Sequence, residues 1–73
     1  MDIKTGQVLE FVEPVTVDGR VIERGTRVRV GYIEPQVVES KLTLVLMDTD
    51  ESDTIVVDHH VAGIHCRIVK EGS

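Results

Sequence analysis

A small all-β domain is what this sequence predicts, and three observations predict it. Valine is the commonest apolar residue while only Phe11 and Tyr32 are aromatic, and β-branched side chains suit a pleated surface better than a helix. Several short stretches alternate apolar and polar side chains with period two, most clearly residues 26–33 and 64–69. Turn-forming residues punctuate the chain at Asp18-Gly19, Glu23-Arg24-Gly25 and Glu34-Pro35-Gln36. With 73 residues, the chain is expected to form a single domain, near the size at which one hydrophobic core becomes marginal.

Taken in order, residues 1–6 form a short polar lead-in expected to be loosely held, like the tail at 70–73. Residues 7–13 read as a first strand, with Leu9 and Phe11 on one face, Val8 and Val12 on the other, and Pro14 ending regular pairing. Val15-Thr16-Val17 stays extended, Asp18-Gly19 supplies a tight turn, and Val21 and Ile22 lead into a second turn at Gly25. In residues 26–33, Val28, Val30 and Tyr32 share one face and Arg27 and Arg29 the other, which predicts a half-buried strand with a basic outer face. Residues 34–36 interrupt the pattern, and the connector at 37–40 stays open, a short helical turn among its options.

The two most apolar β-like runs, residues 42–47 and 55–57, flank an acidic loop at 48–53 and predict a central hairpin. Symmetric pairing sets Leu46 opposite Ile55 and Leu44 opposite Val57 on the inward face. The outward face then pairs Val45 with Val56, Met47 with Thr54, and Thr43 with Asp58. Residues 58–63 read as one helical turn of 3₁₀ type with Val61 or Ala62 turned in. The last strand, 64–69, sends Ile64, Cys66 and Ile68 inward and His65 and Arg67 outward.

This succession of elements resembles the small bacterial Src-homology-3-like (SH3-like) barrels. The resemblance rests on the turn-rich 18–25 segment, the strand at 26–33, the 42–57 hairpin and the single turn at 58–63 before the closing strand. Gly25-Thr26-Arg27-Val28-Arg29-Val30 is similar to the glycine-then-valine entry to the second strand of such modules. It implies a five-stranded barrel with one short 3₁₀ turn before the last strand, and a fold does not carry a function with it.

Charge and composition narrow the function classes. The net charge of −5 repels a phosphate backbone, which argues against nucleic acid as a partner. Cys66 is the only cysteine, so no intrachain disulfide forms, in keeping with a reducing cytoplasm. The start of the chain lacks an apolar signal core, and no run approaches the length of a membrane span. A cytoplasmic protein with no membrane partner is expected. Catalysis has little support: no serine sits in a nucleophile motif, and no glycine-rich phosphate loop or other cofactor motif is present. Two aromatic residues cannot line a polyproline groove, cage a methylated lysine or stack single-stranded bases.

Four candidate sites remain. His59, His60, His65 and Cys66, beside Asp58, are good zinc or copper ligands gathered in a short stretch. Strand alternation turns His65 and Cys66 to opposite faces, however, and no Cys-x-x-Cys or His-x-x-x-His spacing occurs. Cys66 as a small core residue, with surface histidines, is the plainer expectation. The acidic loop at 48–53 starts like a calcium loop but has Asp53 where glycine belongs and His59 where a bidentate glutamate belongs. A solvated loop whose charges keep the flanking strands from aggregating is the simpler account. Arg27 and Arg29, with Arg20, Arg24 and Arg67, can form a basic strip, against which pairing with the abundant carboxylates must be weighed. The fourth site is the outer face of the hairpin, where Val45, Met47 and Val56, joined by Ile33 or Val69, form an apolar patch facing water.

The sequence therefore points first to a non-enzymatic interaction or accessory module, docking on a protein partner or self-associating through that face. The alternative is a small metal-binding or metal-sensing protein using His59, His60 and His65.

Overall fold

The computed structural model describes residues 2–47 and 53–70, with all strand pairing antiparallel. Among these residues, seven strands and one helix follow in the order β1 (Val8–Phe11), β2 (Val15–Val17), β3 (Arg20–Ile22), β4 (Arg27–Glu34), β5 (Lys41–Leu46), β6 (Thr54–Asp58), α1 (His59–His65) and β7 (Cys66–Val69). Five of them build one sheet in the order β6-β5-β4-β1-β7, and β2 and β3 form a separate hairpin. β6 and β7 occupy opposite edges, so the sheet stays open, where a closed five-stranded barrel had been expected.

Turn chemistry shapes the first half. Asp18 and Gly19 both have positive φ, at 50° and 76°, the combination that lets a two-residue turn match the twist of the strands it joins. Val17 accordingly pairs with Arg20 directly across the turn. At Gly25, φ is 90°, and its N–H donates to the Phe11 carbonyl while the Phe11 N–H donates to Thr26, which fastens the start of β4 to the end of β1.

The inward face is continuous. Leu9, Phe11, Val28, Leu42 and Leu44 are fully buried, with Val30, Leu46, Ile55, Val57, Ala62 and Cys66 around them. No charged or polar residue is buried among the described residues, so the core asks for no internal ion pair. Ile3 belongs to this core as well, although residues 1–6 were expected to be a loose lead-in. A turn ties that segment down: the Lys4 N–H donates to the Gln7 side chain at 2.6 Å, and the Gly6 N–H to the Val30 carbonyl at 2.7 Å.

Three expectations about local geometry are corrected. In the hairpin, Leu44 pairs with Ile55 and Leu42 with Val57, two residues away from the symmetric register. The Leu46 N–H donates to the Asp53 carbonyl, so pairing begins two residues earlier on the second strand than expected. A shift of two preserves which face each side chain occupies, because strands alternate with period two. In β4, Gly31 is an extra residue between the pairs Val30–Leu44 and Tyr32–Thr43. That bulge reverses the alternation beyond it. Tyr32 is therefore exposed, and Ile33 is half-buried against the core.

Third, residues 59–65 form a seven-residue α-helix instead of a 3₁₀ turn ending at 63. The His59 N–H donates to the Ser40 carbonyl at one end, and the Cys66 N–H closes on Ala62 at the other. Ala62 is buried, and at about 100° per residue Ile64 lies roughly 200° away around the helix. Ile64 is 64% exposed for this reason. Cys66 is buried and Ile68 packs against the core, as the alternation predicts. Residues 35–40 contain bends and no helix, with Val37 and Val38 fully in solvent.

Candidate functional site

The outer face of the five-stranded sheet can be laid out from its register. One row across the strands reads Val56, Thr43 and Tyr32, and the next reads Thr54, Val45, Arg29, Val8 and Val69. A third carries Arg27, Glu10 and Arg67. The hairpin half of this face is thus apolar or weakly polar, with Val56 49% and Tyr32 58% exposed and Val45 half-buried. Met47 is also exposed at the end of β5, held by its N–H to the Arg27 carbonyl. Three of the four residues expected at the interface, Val45, Met47 and Val56, are on this face. Ile33 is not, because the Gly31 bulge turns it inward, and Tyr32 takes its place.

The other half of the face is basic. Arg27 donates to Glu10 at 3.1 Å and Arg67 to the same carboxylate at 3.2 Å. Hydrogen bonds from Arg27 and then Arg67 hold the Glu10 carboxyl below its ordinary value of 4.5. Arg29 is exposed and makes no ion pair among the described residues. Beyond Val8 and Val69 the row runs into a concavity of about 650 Å³, bordered by Lys4 and Lys70 and lined also by Gly6 and Gln7. Arg27 and Arg29 share this face, and Arg27 makes the carboxylate pairing that was weighed against a basic strip. Arg27 and Arg67 share Glu10, and Arg29 lies across from Val8, which lines the concavity. Arg20 lies elsewhere, in a two-pronged pair with Asp53 at 2.7 Å.

The expected metal ligands are dispersed. His65 hydrogen-bonds Glu13, beyond the end of β1. His60 hydrogen-bonds Glu39 at 2.7 Å, on the connector before β5. Cys66 is buried, and burial pushes its thiol up to about 12, so it remains protonated near neutral pH. What the fold gathers instead is Glu39, Asp58 and His60, whose ligand atoms lie within 4.8 Å of one another. Lys41 enters the same cluster through an ion pair with Asp58, which lowers the Asp58 pKa and raises its own. Its ammonium balances charge that a cation would otherwise meet. Asp58 is thereby committed to Lys41. The calcium-like part of the loop lies outside the described residues, except for Asp53.

Sequence reasoning missed Tyr32, Glu39, Lys4 and Lys70. For Tyr32 the signal was present, since an isolated glycine inside a strand pattern marks a bulge. Glu39 had none, because its partner lies 21 positions away across an irregular connector. No helix among the described residues is long and apolar enough to cross a membrane. No protein-family model, curated protein or solved structure matches this chain.

Proposed function

We propose that this protein is a non-enzymatic interaction module that docks on a protein partner through the outer face of its five-stranded sheet. The observation that carries the reading is the patch of Val45, Val56 and Tyr32 grouped around Thr43, with Met47 beside it, on strands whose opposite face fills the core. Antiparallel sheets normally turn polar side chains to water on their free face. Covering each large apolar side chain would contribute roughly 1.5–3 kcal/mol at most. The fold we propose with it is an open form of the SH3-like barrel. Support comes from the strand order, from the hairpin inserted between β1 and β4, and from the single helix before the last strand.

The test compares affinity capture from native lysate by the unaltered chain and by a Val56→Asp variant whose circular dichroism is unchanged. Loss of a specific captured protein in the variant is expected. Identical capture by both proteins would refute docking through this face.

A second reading, metal handling, is favoured by one observation, the convergence of Glu39, Asp58 and His60. It replaces the set of His59, His60, His65 and Cys66, of which only His60 belongs to the cluster. Zinc at one equivalent should move the His60 ring resonances in NMR, and unmoved resonances would end this reading.

A further inference from the structure

We infer that the segment docking on this face is acidic as well as apolar, an extended peptide whose carboxylates meet Arg29, Lys4 and Lys70 while its apolar side chains cover the half-buried Val45 and Val69. The inference rests on the docking reading above and adds the chemistry of the partner. Charge is distributed unevenly over the molecule. The chain as a whole is at −5, yet the β1–β7 half of the outer face and the adjoining concavity hold Arg27, Arg29, Arg67, Lys4 and Lys70. Glu10 is the sole carboxylate among them in the described residues. Glu10 is already engaged by two arginines, which leaves Arg29 and the lysines to a ligand.

Geometry sets the length of that ligand. Crossing from β5 through β4 and β1 to β7 covers three strand spacings, about 14 Å at roughly 4.8 Å each. An extended chain spans this in about four residues at roughly 3.3 Å per residue. Because alternate side chains point to opposite sides, both kinds face the row when acidic and aliphatic residues take turns at every second position of the peptide. At physiological ionic strength charges separated by more than about 8 Å are largely screened, so this local surface outweighs the distant acidic groups. The same cations would meet a nucleic acid phosphate, but Tyr32 is the single exposed aromatic of the face, and one ring makes no stacking platform for bases.

The experiment follows backbone amide resonances of the full chain by NMR. Three eight-residue probes with blocked ends are added in turn: two repeats of Glu-Ser-Leu-Ser (the Glu–Leu peptide), two repeats of Lys-Ser-Leu-Ser (the Lys–Leu peptide), and alternating Glu and Ser. Oligothymidine of matching length is a fourth probe. The Glu–Leu peptide should move the amides of Val8, Arg29, Val45 and Val69 and bind roughly tenfold tighter than the Lys–Leu peptide, with binding weakened by salt. Arg29→Glu should weaken it roughly three- to tenfold, and Arg29→Gln by less. Equal binding of the Glu–Leu and Lys–Leu peptides at these amides would overturn the acidic partner and leave docking at the face intact. Tighter binding of oligothymidine would overturn it in favour of nucleic acid. Concentration-dependent shifts of the same amides without any probe would replace the peptide by a second copy of the chain. Absence of shifts at this face with every probe would overturn the inference together with the reading beneath it.

Discussion

Replacing Ile3 by alanine asks whether the N-terminal segment is part of the core. Ile3 is 7% exposed and belongs to the cluster that contains Leu9, Phe11 and Ile22. The change removes three carbons, worth roughly 2.4 kcal/mol at about 0.8 kcal/mol each. Space that fails to close adds to this, and buried Ile→Ala changes reach about 2–5 kcal/mol. The lower part of that range applies, because Ile3 precedes the first strand and its segment can shift to refill the gap. At about 0.05–0.15 kcal/mol per residue the whole domain is stable by roughly 4–11 kcal/mol, so the loss is roughly a fifth to three-fifths of the total. Urea unfolding followed by circular dichroism measures it directly. The midpoint of thermal unfolding should fall by roughly 10–20 °C, at about 4–8 °C per kcal/mol for a domain of this size. Val37→Ala is the control, since Val37 is fully exposed. If the two variants agree within about 0.5 kcal/mol, the range of ordinary surface changes, Ile3 is not a core residue.

Three further perturbations test separate parts of the structure. A Cβ at Gly31 would stand 3.2 Å from the Val45 Cγ2 atom. Gly31→Ala should therefore cost less in a Val45→Ala background than alone, by about 0.5 kcal/mol or more, and equal costs in a double-mutant cycle would remove that contact. Burial raises the Cys66 thiol from 9.0 to about 12, so the native state holds its proton where the unfolded chain releases it. Stability from this group is full below the unfolded value and is lost as pH climbs toward the folded one. The alkaline decline in urea stability should be shallower in Cys66→Ala, and parallel curves would contradict a buried thiol. Glu10 has the opposite sign: its folded pKa lies below 4.5. Its contribution is present above that value and is lost as pH falls through the folded one, so Glu10→Gln should flatten the acid limb of the thermal melts. An unchanged limb would mean that the arginines do not hold the carboxylate in solution.

How much was legible in the sequence depends on which physical quantity decided each position. The face of a side chain in a strand depends only on parity. The hairpin register was off by two residues, yet Leu42, Leu44, Leu46, Ile55 and Val57 still face inward and Val45 and Val56 still face outward. Ile33 fails for the complementary reason, since one extra residue at Gly31 reverses parity. Ile64 fails because its segment is helical, where 3.6-residue periodicity replaces alternation. Ile3 was missed because one apolar residue in a polar stretch carries no period. The histidine–carboxylate pairs were hidden because each joins segments far apart in the chain. A composition that favours neighbouring histidines cannot show that Glu39 and Glu13 are the groups facing them.

The way the sheet edges are treated explains why a face, and not an edge, is the surface to test. An exposed edge strand offers unpaired N–H and C=O groups to any extended chain. Here the β2–β3 hairpin packs beside β6, with Val15, Thr16 and Val17 across a small cleft from Val56 and Val57. Arg20 of that hairpin clamps Asp53 at the start of β6 through two 2.7 Å contacts, which positions the hairpin where an added strand would otherwise pair. At the far edge, β7 is four residues long and follows directly from α1. An incoming strand would find few backbone partners there and would meet the α1 end, where the His65 carbonyl is already taken by the Val12 N–H. Recognition by backbone pairing is thus obstructed at one edge and short at the other. Side chains on the open face, Val45, Val56, Tyr32 and Arg29, are what the fold leaves for a partner, so variants there should alter binding, while Arg20→Ala at the β6 edge should alter it less.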